Sequence, residues 1–355
     1  MVRVHSGLPF ISLNLLAQLR RQLHEPKPRM NTVFRNARAA ILLIGLTAAA
    51  SGTDTTSLLE FEKRGIDRIS QFSATEHSAI LFTVADRLVG FAKDGQIHWI
   101  NSGDISHTRA CGWPHPALSH DGLRVAFVTD SDRPKHCRIA IEDMPTGTQR
   151  ELIETGGDPG EISWSWNDAE IVFLDGGISA VSVGEGRKRA LLPFPMKRIG
   201  NLRFSFWVWY PMQWLHNGDL VLELNTEIPT KEPGTYQEQS NLLVVSGGDS
   251  RLLDVGSQPA VSPSSDRIAY YGRDGIVSIN PDGTQRIVLA KNPRTIAFLK
   301  EELFGRLVWS PDGKRLVFGT IVSENRADNL YLLNLKSGSS EQFLSHTSIT
   351  IRGWN

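Results

Sequence analysis

Cysteine is scarce: Cys111 and Cys137 are the two in 355 residues, so one bridge is the most covalent framework available. Long hydrophobic runs are missing too. The apolar stretch from Ala39 to Ala50 has twelve residues, well short of the ~20 a membrane-spanning helix needs. Net charge is absent, with 38 basic and 38 acidic residues. Apolar helical periodicity is scarce after residue 66. The familiar catalytic signatures are also missing. There is no Gly-x-Ser-x-Gly elbow, no His-Glu-x-x-His pair, no phosphate loop and no Gly-x-Gly-x-x-Gly turn. Each absence removes a class: a spanning helix, an α/β-hydrolase site, a zincin, a nucleotide-binding fold.

What remains is a recurring hairpin. In "LVWSPDGKRLVF" (Leu307 to Phe318), Pro311 has the φ that the first corner of a β-turn requires, Asp312 can bond its own backbone, and Gly313 accepts positive φ. Apolar strands flank the turn, which reads as a tight antiparallel hairpin. Related stretches begin at Leu118, Trp164, Trp214 and Val261, with a weaker one, "FSATEHSAILF", at Phe72. From Phe72 to Trp309 the anchors are spaced by 46, 46, 50, 47 and 48 residues. Third and fourth strands follow, as in "GIVSINPDGTQRIVLA" after Tyr270. Four strands in roughly 45 residues make one propeller blade. A single blade cannot bury both faces of its sheet, so blades pack face to face around an axis. The expected fold is all-β, a six-bladed propeller of four-stranded antiparallel blades over 66–355. Trp354 follows Trp309 by 45 residues and reads as an inner strand that closes the ring by pairing into the first blade, a loose C-terminal stub being the alternative.

The N-terminus differs. After Met30, Arg35 and Arg38 precede the Ala39–Ala50 run, which ends in three alanines. That is the form of a secretory signal. The expected organisation is therefore an N-terminal extension over 1–29 (read as an upstream start with Met30 the true one, a real extension or a signal anchor being the alternative), a signal peptide over 30–50 and a linker over 51–65. Taking the seven basic and one acidic residues of 1–50 from the 38 of each sign leaves 31 and 37, a net of −6. A nucleic-acid-binding surface shows a basic stripe instead. In the blade plan Cys111 and Cys137 sit on two loops of the same face. A disulfide is expected in an exported chain, against two free thiols or a metal site shared with His115 or His136.

The pair "WSPDGKRLVF" and "NPDGTQRIVL" resembles the repeats of the TolB-like six-bladed propellers, over about residues 66–355. The resemblance implies a six-bladed propeller, often exported to the bacterial periplasm. The founding member of that family carries an α/β domain ahead of its propeller and partners a peptidoglycan-associated lipoprotein. Only about 15 residues separate the expected cleavage site from the first blade here, so that role is not carried over.

On a repetitive scaffold, function concentrates in the irregular loops. Two such stretches belong to the fourth blade: "RIGNLRFSFWVWYPMQW" (Arg198 to Trp214) and "NTEIPTKEPGTYQEQSN" (Asn225 to Asn241), the latter read as a polar loop. Exposed Trp and Tyr beside Arg suit recognition, which selects Arg203, Trp207, Trp209, Tyr210 and Tyr236 as ligand-contacting candidates. The Ser-Pro-Asp-Gly turns, on the opposite face, are assigned a chain-turning role alone. His77, His120 and His216 read as solvated polar residues at turns. The expected function is non-catalytic binding of a protein, peptide or glycan, an envelope protein among the partners, in the periplasm or outside the cell. No cofactor, metal, catalytic residue, nucleic acid or membrane insertion after signal cleavage is expected. A carbohydrate-active lyase or hydrolase at the channel mouth is one alternative. A structural subunit of an envelope assembly is the other.

Overall fold

A computed structural model describes residues 59, 62–86, 88–100, 111, 115–133, 135–193, 203–204, 212–229, 236–247, 249–291, 301–322 and 328–355. The chain divides into two compact units, 1–53 and 54–355, and every described residue belongs to the second. The signal-peptide expectation falls outside the described residues.

Among the described residues, twenty-five strands form six antiparallel sheets. Blade 2 is β4–β7 (Ala117–Leu118, Arg124–Asp130, Cys137–Asp143, Thr148–Thr155), and blade 3 is β8–β11 (Ser163–Trp164, Glu170–Leu174, Gly177–Ser182, Lys188–Pro193). Blade 5 is β17–β20 (Ser257–Val261, Ile268–Gly272, Gly275–Ile279, Ile287–Lys291), and blade 6 is β21–β24 (Glu301–Trp309, Arg315–Val322, Asp328–Asn334, Ser340–Thr347). Blade 4 is irregular. Its inner edge is two short strands, β12 (Arg203–Phe204) and β13 (Gln213–Trp214), which both pair with β14 (Leu220–Pro229), followed by β15 (Tyr236–Ser246) and β16 (Asp249–Val255). Blade 1 takes its inner strand, β25 (Ile349–Trp354), from the far end of the chain, ahead of β1 (Ile80–Val84), β2 (Leu88–Lys93) and β3 (Gln96–Ile100).

The repeat anchors become the last residues of the inner strands: Leu118, Trp164, Trp214, Val261 and Trp309 end β4, β8, β13, β17 and β21. The sixth is Trp354, not Phe72. Phe72 lies in a helix, α1 (Lys63–Glu76), and its ring packs against those of Phe343 and Trp354 at 4.8 and 5.1 Å. His77 is likewise no inter-strand turn residue. It ends α1 with φ 50°.

Each hairpin turn is held by its own side chains. At Ser310 the hydroxyl donates to Asp312 Oδ1 at 2.6 Å and accepts from Arg315 N at 2.9 Å, while Gly313 takes φ +67°. Where blades 3 and 5 lack that glycine, Asp168 and Ser265 occupy positive φ (56° and 60°), which an Asp tolerates better than most residues. Their side chains also reach the neighbouring blade. Asp168 accepts from the backbone N–H groups of His120 and Asp121, and Ser265 Oγ from that of His216.

Six apolar clusters fill the six seams, one between each pair of neighbouring blades. Successive residues of a strand therefore bury into different seams. Leu81 faces blade 2 and Phe82 faces blade 6, so the middle strands are apolar almost throughout. The outermost strands are more open: β7 is largely exposed and β20 is half-buried.

Candidate functional site

All six inner strands converge on the propeller axis, and an axial cavity of about 440 Å³ opens among their ends. Its rim is made by the hairpin turns, through His120, Trp166, His216, Pro263 and Pro311, and Arg306 and Arg352 line it more deeply. Trp166 is 45% exposed and its ring lies 5.5 Å from that of His216. The turns thus frame the principal cavity among the described residues, on the face that the sequence reading left without a function.

The deep part is an ionic network supplied by equivalent positions of different blades. His115, Glu161 and Arg306 each stand three residues before an anchor (Leu118, Trp164, Trp309), and Arg352 stands two before Trp354. Glu161 joins the two arginines: its Oε1 accepts from Arg352 Nη1 at 2.9 Å and its Oε2 from Arg306 Nη1 at 3.2 Å. Arg352 also donates to Asp86 Oδ1 at 2.7 Å and to Thr83 Oγ1 at 3.4 Å. His115 is buried, with Nε2 3.6 Å from Asp158 Oδ1 and Nδ1 3.8 Å from Glu161 Oε1. Those distances are too long for direct hydrogen bonds. The attraction is between charges across a narrow gap.

Burial sets the protonation states. For His115 burial opposes the charge, but Asp158 and Glu161 together outweigh it and raise the imidazole to about 9. Burial would lift Glu161, yet Arg352, Arg306 and His115 hold it far below the usual carboxylate range. Arg352 is raised, because Glu161 and Asp86 outweigh its burial. Of the two arginines, Arg306 is the one lowered: burial and the neighbouring Arg352 outweigh the attraction of Glu161. His115, Glu161 and the two arginines are charged at neutral pH. Among the described residues no group of three or more His, Cys, Asp or Glu is placed to hold a metal ion.

A disulfide joins Cys111 to Cys137, with Cα atoms 5.7 Å apart. Cys111 is four residues before His115, so the bridge ties the chain's approach to the hub onto β6.

Two of the loop-face candidates lie on blade 4. Arg203 pairs with Glu227 of β14, and Tyr236 pairs with Pro229 of the same strand, so the two flank one end of β14. Trp207, Trp209 and Tyr210 lie outside the described residues. The stretch expected as a polar loop, Asn225 to Asn241, is instead mostly ladder: β14 and β15 stay paired from Leu220↔Val245 to Pro229↔Tyr236. Buried side chains sustain it. Asn241 Nδ2 donates to Thr226 Oγ1 at 2.8 Å, and Ser240 Oγ donates to Asn225 Oδ1 at 2.7 Å. Of the axial ionic residues, the sequence reading named His115 alone, and as a possible metal ligand beside the cysteines; Glu161, Arg306 and Arg352 were not among the candidates. Aligning the repeats on their anchors and reading three positions upstream finds His115, Glu161 and Arg306, and two positions upstream of Trp354 finds Arg352.

No family model matches the chain, and no curated protein matches it in sequence. Solved structures do resemble it. TolB from Acinetobacter baumannii aligns with a TM-score of 0.52 at 15% identity, over 78% of this chain and 66% of that one. A chain of a nidogen/laminin complex gives 0.50 at 14% identity, over 78% and 97%. The β-propeller domain of the trilobed protease from Pyrococcus furiosus gives 0.48 at 12% identity, over 75% and 84%. The match spans just under two-thirds of the TolB chain's own length. At these identities the likeness is one of fold: this chain is a six-bladed β-propeller.

Proposed function

We propose that this TolB-like propeller is an exported binding protein that takes a peptide segment of a partner protein, an envelope protein in the first instance, into its axial cavity. One observation carries the reading. The inner-strand ends of all six blades surround a single cavity of about 440 Å³, the size of ordinary ligand sites. It has an exposed Trp166 at the rim and charged, buried arginines below. An aromatic rim over fixed donors is an arrangement for holding a ligand in one orientation. The loop-rich face, with Arg203, Trp207, Trp209, Tyr210 and Tyr236, is a second contact surface in this proposal. Export is supported by the basic and apolar segment before Ala50 and by the disulfide.

The test uses the full chain with its disulfide oxidised and a pool of N-acetylated hexapeptides, with binding read by tryptophan fluorescence and calorimetry. Trp166→Ala is expected to weaken binding about tenfold or more, and Tyr236→Ala to leave it within about twofold. The reverse pattern moves the site to the loop face.

A further inference from the structure

The two arginines of the hub are not equivalent. Arg352 divides its donors among Glu161, Asp86 and Thr83. Arg306, whose side chain is only 9% exposed, makes one hydrogen bond among the described residues, to Glu161. That single carboxylate is also claimed by Arg352 and His115. The other two acids of the network stand by those partners, Asp86 by Arg352 and Asp158 by His115. A guanidinium has five donors in a planar fork, suited to two parallel bonds with a carboxylate. Arg306 therefore lines the cavity as a buried cation with donors to spare and less than one acid to itself. A buried charge so placed gains from a further anion, and the protein's own contacts lower its affinity for a proton, which fits the same deficit.

We propose that Arg306 binds a carboxylate of the ligand, so that the ligand enters the axial cavity with a carboxylate foremost. The inference rests on the cavity being the binding site. Its chemistry is shared by a small organic acid and by the free C-terminus of a peptide, and the probes separate the two.

The measurement is calorimetric titration of the full chain at pH 7 with four probes: benzoate, benzamide, and two hexapeptide pools lacking Asp and Glu, N-acetylated, with either a free or an amidated C-terminus. Benzoate is expected to bind and benzamide not. The free-acid pool is expected to bind about tenfold more tightly than the amidated pool or better, the worth of a charge-assisted hydrogen bond. Arg306→Gln abolishes that preference, and Arg306→Lys keeps part of it. Equal binding of the two pools, with no response to benzoate, overturns the inference while leaving the axial site standing. Failure of both pools with retained benzoate binding keeps the carboxylate at Arg306 and discards the peptide reading. A response to benzoate that survives both substitutions in a folded variant (circular dichroism unchanged) places the carboxylate elsewhere and also overturns it. The wild-type comparison of acid with amide needs no variant to fold.

Discussion

The seam between blades 6 and 1 and the seam between blades 3 and 4 do the same job by different means. At the first, the two ends of the propeller meet, and the chain supplies no connection across them except its own terminal strand. There β25 pairs with β1 from Ile80↔Trp354 to Val84↔Ile349, and Trp354 Nε1 donates to Ser78 Oγ at 2.9 Å. Helix α1 adds a clamp at both ends. Glu62 accepts from Thr347 Oγ1 at 2.7 Å and from Ser348 N at 2.6 Å, and Glu76 receives both Nη atoms of Arg315, at 2.9 and 2.5 Å. Arg315 in turn lies 4.9 Å over the Trp354 ring. At blades 3 and 4, by contrast, the apolar cluster works without its anchor's hydrogen bond. Trp164 and Trp309 each donate Nε1 to the inner-strand carbonyl of the blade before, Ala117 O and Ala260 O, both at 2.9 Å. The buried Nε1 of Trp214 has no partner among the described residues. The seam where the chain's ends meet thus carries a strand pairing and a helix clamp that the others lack among the described residues, and the seam of blades 3 and 4 holds without even the anchor hydrogen bond its counterparts make.

The largest way to break the contrast is to remove the closing strand. Deleting Ile349–Asn355 is expected to abolish the cooperative urea transition seen by circular dichroism, and Trp354→Ala to cost about 3–5 kcal/mol. A closing strand that could be lost without effect on the midpoint would mean that the clamp, not the strand, shuts the ring.

The hub titration is the next effect in size. His115 is raised from 6.5 to about 9 in the folded chain, so its stabilisation is complete below pH 6.5 and lost as pH rises through about 9. Urea midpoints measured across that window should fall by the equivalent of as much as ~3 kcal/mol. His115→Gln should flatten the profile over the same range. A wild-type profile that is already flat contradicts the charged imidazole.

The smallest effect sharpens the seam comparison most. Trp164→Phe and Trp309→Phe each remove a donor from a buried carbonyl, whereas Trp214→Phe removes a donor that has no acceptor among the described residues. The first two are expected to cost about 1 kcal/mol more than the third. Equal costs would show that the anchor hydrogen bonds are energetically idle.

The blade repeat was legible because bulky anchor, hydroxyl, turn and apolar strand recur at nearly constant spacing, each with a local physical cause. Phe72 misled for the same reason. "FSATEH" imitates the pattern, while Ile66, Ile69 and Ser73, spaced for one helix face, carried the competing signal that won. Asn225 to Asn241 read as a loop because its residues are polar and include two prolines. The ladder depends on bonds among Asn225, Thr226, Ser240 and Asn241 that no propensity records. Glu161, Arg306 and Arg352 escaped notice, and His115 was weighed only as a metal ligand, because each is a lone polar residue beside an apolar strand. Only superposing the repeats shows that His115, Glu161 and Arg306 share one level.

Both the ring and its hub turn on β25, which closes the sheet and carries Arg352. Amide hydrogen exchange of the full chain tests this directly. The N–H groups of β25 paired to β1, together with Asn355 N, bonded to Ala79 O at 2.8 Å, should exchange in the same slow class as the paired amides of β22. Exchange of Ile349–Asn355 within seconds, while β22 stays protected, would contradict the closed wheel and the axial site built on it.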